Sequence, residues 1–196
     1  MNGTNIHRRP LRRIMLIGLT GKNASGKSTI VSWFSEKGLR SVSCSDSIRS
    51  WLRNQGIEET RNSLIEGGRQ LRRSGGPSIL ADMLLEILNG EDAVVDSIRT
   101  PDEVASFRKR GDFWLIEIRA SEEMRWERLK KRNRPGDPED RETFVRQDKT
   151  EESAKDKAGQ DLLATAELAD YIIENNGSIE QLETELEGFW NEIKHS

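Results

Sequence analysis

The chain has 196 residues, enough for one α/β domain with a full core and too few for two. Charged residues make up 33% and hydrophobic ones 34%, and 31 basic against 34 acidic side chains leave a net charge of −3, so no global field draws the chain to nucleic acid or to a membrane. The single cysteine, Cys44, excludes an internal disulfide and argues against a thiolate metal site, and no apolar run approaches the roughly 18 residues of a membrane span.

In chain order, the start His7-Arg8-Arg9-Pro10-Leu11-Arg12-Arg13 is basic, broken by proline and without an apolar signal core, so residues 1–12 read as a solvated flexible tail and the protein as cytoplasmic. Ile14-Met15-Leu16-Ile17 reads as a buried parallel strand ending before Gly18. A helix is expected from about Ser28 to Lys37, closed by Gly38, and a second strand over Leu39 to Ser43. From Asp46 to Asn89 the pattern is helical and arginine-rich, with breaks expected at Gly56, Gly67-Gly68 and Gly75-Gly76-Pro77. Ala93 to Asp96 and Phe113 to Ile118 are the third and fourth strands. Between them Thr100-Pro101-Asp102-Glu103 starts a helix, with a threonine cap, proline in the first turn and an acid two residues later. A basic helix follows over Ser121 to Arg132, then a turn at Pro135-Gly136-Asp137-Pro138 and a short fifth strand, Tyr171 to Ile173. The last helix sets Ile179, Leu182, Leu186, Trp190 and Ile193 on one face. Strands alternating with helices give an α/β fold, a parallel sheet covered on both sides.

Gly21-Lys22-Asn23-Ala24-Ser25-Gly26-Lys27-Ser28 fits the P-loop (Walker A) pattern G-x-x-x-x-G-K-[ST] at every fixed position, between an apolar strand and a helix as the motif requires. Gly21 and Gly26 let the backbone curl so that the N–H groups of Asn23, Ala24 and Ser25 can point at phosphate oxygens, and the helix through Ser28 and Thr29 aims its positive end at them. Lys27 suits the β- and γ-phosphates of ATP, and the Ser28 hydroxyl suits magnesium. A guanine-reading Asn-Lys-x-Asp is missing where a GTPase would carry it, and Asp96 is followed by Ser97 rather than the glutamate of motor ATPases. The motif, the chain length and the arginines favour a kinase.

Two segments place an arginine three residues after an aspartate at a strand end: Asp46 to Arg49 and Asp96 to Arg99. Carboxyl ends of parallel strands are where such sheets bind ligands. Asp46 and Asp96 are candidates for holding magnesium, through water, or for taking the acceptor's proton. Arg49 and Arg99 are candidates for a phosphate, since two guanidinium groups brought together there require an anion between them. Local Asp–Arg capping pairs are the alternative. Arg69 and Arg72 share a helical face in the arginine-rich segment and could steady the acceptor. Arg125, Arg128 and Arg132 form one helical stripe, continued by Arg134, Arg141 and Arg146; it reads as a lid that brings cations to the transferring phosphate, or as a charged outer face balanced by Glu122, Glu123 and Glu127.

The stretch from Ile17 to Thr29 resembles the opening of dephospho-CoA kinases, and Ala169-Asp170-Tyr171-Ile172-Ile173 through Asn176-Gly177-Ser178 resembles that family's last strand and turn, which places Asn176 and Gly177 near adenine. Ser43-Cys44-Ser45-Asp46-Ser47-Ile48-Arg49 is similar to the acceptor-binding segment of adenylate kinases, with Cys44 and Ser45 in place of threonine and glycine. Asp96-Ser97-Ile98-Arg99 with Glu103-Val104, and Arg125-Trp126-Glu127-Arg128-Leu129 with Arg146-Gln147-Asp148, resemble uncharacterised archaeal nucleotide-kinase-like proteins over nearly the whole chain. These resemblances imply one domain of the nucleoside monophosphate kinase type: a five-stranded parallel sheet in the order 2-3-1-4-5, an acceptor-binding helical insert over 46–90 and a lid over 125–150. They imply ATP and Mg2+, with Arg128 in catalysis and Arg132 on the nucleotide, and a small phosphate-bearing acceptor, a nucleoside or deoxynucleoside monophosphate. Dephospho-CoA is the rival acceptor, disfavoured because Ser43-Cys44-Ser45-Asp46 offers one acid where that family has two. A non-catalytic ATP-binding regulator is the competing class. Neither a membrane nor a nucleic-acid partner is expected.

Overall fold

The apolar segment before the phosphate loop forms the middle strand of the sheet. In the computed structural model, which describes residues 15–132, 137–153 and 158–195, β1 spans Leu16–Thr20 and is buried along its length. The tail 1–12, Ile14, Arg134 and the Pro135-Gly136 half of the expected turn lie outside the described residues. Strand β1 therefore runs through Gly18 rather than ending before it. Packing is the reason: a Cβ on Gly18 would lie 2.6 Å from both the Ile98 and the Phe113 side chains, so only glycine lets the layers close over the strand.

Helix α1 (Lys27–Glu36) leads to β2 (Arg40–Ser43), then to three helices, α2 (Cys44–Asn54), α3 (Arg61–Gly75) and α4 (Ile79–Leu88), before β3 (Ala93–Asp96). Helix α5 (Pro101–Arg108), β4 (Phe113–Arg119), α6 (Glu122–Arg132), α7 (Arg141–Glu152), α8 (Leu162–Ala166), β5 (Tyr171–Glu174) and α9 (Ile179–His195) complete the chain. All strand pairs are parallel and the order is β2-β3-β1-β4-β5. With Gly18 opposite both Val95 and Leu115, β1 is flanked by the ends of β3 and β4, so the loops leaving all three strands gather on one edge.

The expected break at Gly67-Gly68 is absent. Both lie inside α3, because a Cβ on either would come within 3.1 Å of Ile48, and their hydrogens let α3 settle directly on α2. Gly56 and Gly76 do mark helix ends, with φ of 68° and 96°. Thr100 caps α5 as its sequence predicts, accepting from the Glu103 N–H at 3.2 Å.

The core has two layers. On one face Ile17, Leu19, Trp33 and Phe34 meet Leu182, Leu186, Phe189, Trp190 and Ile193 of α9; Ile179, assigned to that face, is instead 62% exposed at the helix start. On the other face Leu16, Val95, Ile98 and Leu115 meet α2, α4 and α5. Among the described residues, no helix is long and apolar enough to cross a membrane.

Replacing Gly18 with alanine forces a methyl between Ile98 and the rigid Phe113 ring in a closed layer. Overpacking of this kind costs about 1–3 kcal/mol. Thermal unfolding of Gly18→Ala is expected to show that loss, and an unchanged Tm would mean the layers are looser than described.

Candidate functional site

The loop from β1 to α1 takes the backbone conformations that its glycines permit. Gly21 and Gly26 have φ of 130° and 105°, and between them Ala24 is also left-handed at 61°. A Cβ on Gly21 would lie 2.3 Å from the Ile118 carbonyl, so the loop is drawn against β4 as closely as a backbone allows. Gly26 then caps α1, and Lys27 and Ser28 open that helix.

Side chains hold the loop's carbonyls. Lys27 Nζ donates to the Gly21 and Lys22 carbonyls at 2.6 and 2.8 Å. Arg125 donates to the Asn23 carbonyl at 3.2 Å, and Arg128 to those of Ala24 and Ser25 at 3.5 and 3.1 Å. Asn175 Nδ2 adds a bond to the Ser25 carbonyl at 2.8 Å, while Arg132 reaches Asn23 Oδ1 at 3.1 Å. Arg125 and Arg128 of the α6 stripe thus support the loop away from the cavity, while Arg132 reaches the loop from the cavity wall. Arg125 is buried and gripped by both oxygens of Asp148 at 3.0 and 2.5 Å, Arg128 also bonds the Asn175 carbonyl at 2.8 Å, and Arg132 pairs with Asp137. Beyond the stripe, Arg141 pairs with Glu122 and Glu123 on the surface, as the outer-face alternative has it.

Above the loop a cavity of about 270 Å³ opens. Gly26, Lys27 and Ser28 lie on its loop side with Asn23, Ala24 and Arg132, and Asp96 and Ser97 lie at the end of β3. Arg49, Arg72 and Arg99 also line it, with Cys44, Ser45, Ile48, Leu64, Ile65 and Leu80 from the helices between β2 and β3. Burial pushes the Lys27 ammonium down to about 8, with the cations of Arg99 and Arg125 adding to the shift and Asp96 and Glu151 opposing it. Burial also pushes the Cys44 thiol well up, helped by the Glu103 charge.

The remaining candidates separate. Asp46 is outside the cavity walls, 60% exposed, and accepts from Arg49 at 3.0 Å; Arg49 also pairs with Glu59 at 2.7 Å. Arg99 donates through Nη1 to Glu151 at 2.9 Å and to Gln160 at 3.1 Å. Each guanidinium therefore has its own carboxylate, and the two need no shared anion to coexist. Arg69 lies near Glu66 at 3.7 Å and lines a small recess beside Glu151 and Gln160. Gly21, Ser25, Thr29 and Arg128 belong to the loop, its helix or its support rather than to the cavity wall, and the Ser25 N–H, expected to face phosphate, instead donates to the Lys22 carbonyl at 3.3 Å across the tight turn. Asn176 accepts from the Ser121 N–H at 2.8 Å, and neither it nor Gly177 lines the cavity.

Sequence reasoning missed Glu151, Gln160, Glu103 and Asn175. Glu103 read only as a helix-start acid, yet it is fully buried, with Oε1 accepting from Arg72 at 2.7 Å and Oε2 from the Arg99 N–H at 2.9 Å. Asn175 adjoins the Asn176-Gly177 pair singled out from the sequence, and nothing local distinguishes it. Glu151 and Gln160 reach the site from 52 and 61 residues beyond Arg99, a separation no local pattern encodes.

A family model described as an AAA domain matches residues 17–155. A UPF0200 protein of Hyperthermus butylicus is 34% identical over 174 residues, covering 87% of this chain and 90% of the relative. Among solved structures, a shikimate kinase from Bacteroides thetaiotaomicron superposes with a TM-score of 0.59 at 15% identity, over 92% of this chain and 98% of that one. The Mycobacterium tuberculosis APS kinase, solved with AMPPNP and APS, superposes with a TM-score of 0.51 at 17% identity, over 94% and 99%. The chain has a P-loop kinase-like, nucleotide-binding fold.

Arg125→Ala leaves Asp148 as a buried carboxylate without its guanidinium and frees the Asn23 carbonyl. Breaking a buried pair from one side costs about 3–5 kcal/mol. Denaturant unfolding is expected to register that loss for Arg125→Ala, and a change under 1 kcal/mol, about the median worth of a solvated ion pair, would return Arg125 to the surface stripe.

Proposed function

The chain belongs to the UPF0200 family and to the AAA domain family of P-loop proteins, and from that premise we propose that it is an ATP- and magnesium-dependent phosphotransferase acting on a nucleoside or deoxynucleoside monophosphate. One observation carries the reading: a single cavity joins the phosphate loop, through Lys27 and Ser28, to Asp96 and to the cations Arg49 and Arg99. A regulator that only binds ATP has no use for the second half of that cavity.

In this reading the polyphosphate of ATP lies along the loop, with the α1 N-terminus and Lys27 facing the transferring group. Arg49 and Arg99 hold the acceptor's phosphate. Their carboxylate partners orient them, and among the described residues Arg99 makes its side-chain bonds through Nη1, to Glu151 and Gln160, which leaves other N–H groups of the fork for a ligand. An oxygen of the acceptor phosphate forms the new bond to the γ-phosphorus, the bond from that phosphorus to the β–γ bridging oxygen breaks, and ADP leaves with the bonding pair. A monophosphate has a second pKa of about 6, so its attacking oxygen is already ionised at neutral pH and needs no strong base. Asp96 serves instead to order the site. Residues 46–90 form the acceptor-binding insert.

Magnesium fits the donor set. Among the described residues no three His, Cys, Asp or Glu side chains cluster, but magnesium on a nucleotide takes one or two protein oxygens plus phosphates and waters. The exposed Ser28 hydroxyl and the Asp96 carboxylate, whose Oδ1 alone is engaged by the Ser97 N–H, are those oxygens. Magnesium there would neutralise phosphate charge. Asp46, committed to Arg49 and outside the cavity, is the weaker candidate for metal or base.

ADP formation across the nucleoside monophosphates and dephospho-CoA tests this. At least one monophosphate is expected to be the best acceptor, and Lys27→Ala to lower its turnover by about 10²–10³-fold with the fold intact. Dephospho-CoA as the best acceptor, ATP binding without transfer to any acceptor, or near wild-type turnover in Lys27→Ala would each overturn the proposal.

A further inference from the structure

Among the described side chains of the insert one guanidinium is buried, that of Arg72, and it is unlike the other cations of the cavity. Arg49 and Arg99 keep 35% and 20% of their side chains exposed, whereas Arg72 keeps 3%. Its partner Glu103 is wholly buried and uses both oxygens, one on Arg72 Nη2 and one on the Arg99 backbone N–H, so Arg72 is fixed to the segment that carries Arg99. Despite this grip Arg72 Nε is buried with no acceptor among the described residues. A buried N–H left unmade costs about 1–3 kcal/mol, and a buried ion pair adds little stability over apolar residues of the same volume. Core packing alone therefore gives no reason for this pair beside a ligand cavity.

The surroundings define what Arg72 can bind. Its charge is already balanced by Glu103, so a second anion would meet the Glu103 carboxylate in a poorly solvated place. Ile48, Leu64 and Leu80 share the cavity wall with it. Apolar surface with one neutralised, rigid donor suits a flat ring carrying an uncharged oxygen. Guanidinium has donors only, so it bonds a ring carbonyl and meets an exocyclic amine donor to donor.

We propose that Arg72, positioned by Glu103, reads the base of the acceptor and selects nucleobases with a carbonyl at purine C6 or pyrimidine C4 over those with an amine there. The inference rests on the monophosphate acceptor proposed above and adds its base class. Arg49 and Arg99 take the phosphate, and Arg72 takes the ring.

The test is kcat/KM for the matched pairs IMP against AMP and UMP against CMP, with ATP as donor. The wild type is expected to favour the carbonyl member of each pair by about 10-fold or more, because a site built to hydrogen-bond one group rejects the analogue that leaves it unpaired. The double variant Arg72→Gln/Glu103→Gln leaves no buried charge unbalanced, and glutamine both donates and accepts. Its ratios are expected to fall to within about threefold of unity, through KM for the acceptor, with KM for ATP unchanged. Should the double variant fail to fold, Arg72→Lys retains the charge opposite Glu103 without the planar fork and is expected to lose at least threefold of the discrimination. Transfer without a carbonyl preference in the wild type, or an undiminished preference in the folded variant, overturns the role of Arg72 and leaves the monophosphate reading standing. No transfer to any of the four, nor to GMP or the deoxynucleoside monophosphates, overturns both.

Discussion

A loop can offer its N–H groups to phosphate only if its carbonyls find donors elsewhere, and here the loop from Gly21 to Gly26 has every carbonyl taken. Lys27 takes those of Gly21 and Lys22, Arg125 that of Asn23, Arg128 those of Ala24 and Ser25, and the first turn of α1 that of Gly26. Burying backbone polar groups without partners is what folded proteins avoid, so this pairing fixes the peptide planes of the loop. The rest of the site is arranged around it.

The support extends outward through α7. Arg125 is fixed by Asp148, Lys22 of the loop pairs with Glu152 at 2.5 Å, and Glu151 of the same helix turn holds Arg99. One helix end thereby grips the support of the phosphate loop, the loop itself and a cation across the cavity from it. Carboxylates on α7 do for these cations what solvent would do in an open cleft: they orient and neutralise them at little reorganisation cost. Glu103 repeats the device on the other side, joining Arg72 to the Arg99 backbone. The two sides of the cavity, which the proposed reading gives to donor and acceptor, are thus one electrostatic unit.

Local chemistry was legible in the sequence wherever cause and effect lie within a few residues. The Walker pattern located the loop, Thr100-Pro101 located the start of α5, and Ala93 to Asp96 is the third strand as read. The sheet order came from resemblance, since periodicity says nothing about which parallel strands adjoin. What stayed hidden depends on separations no window spans. The spacing of Arg125, Arg128 and Arg132 showed one face of α6, but not that the face turns inward against the loop, because the deciding partners are Asp148, Asn175 and the loop carbonyls themselves. Gly67-Gly68 looked like a break because glycine weakens a helix, and only the nearness of Ile48 explains its place in α3.

The central claim is that one cavity takes donor and acceptor together, and the most direct measurement is calorimetric binding of a bisubstrate compound, two nucleosides joined by a five-phosphate chain. Linking two ligands that bind at once raises affinity by about 10²–10⁴-fold. The account predicts one such molecule per chain, at least about 100-fold tighter than ATP, and displaced by ATP and by the monophosphate acceptor alike. Binding no tighter than ATP, or displacement by ATP alone, would contradict it.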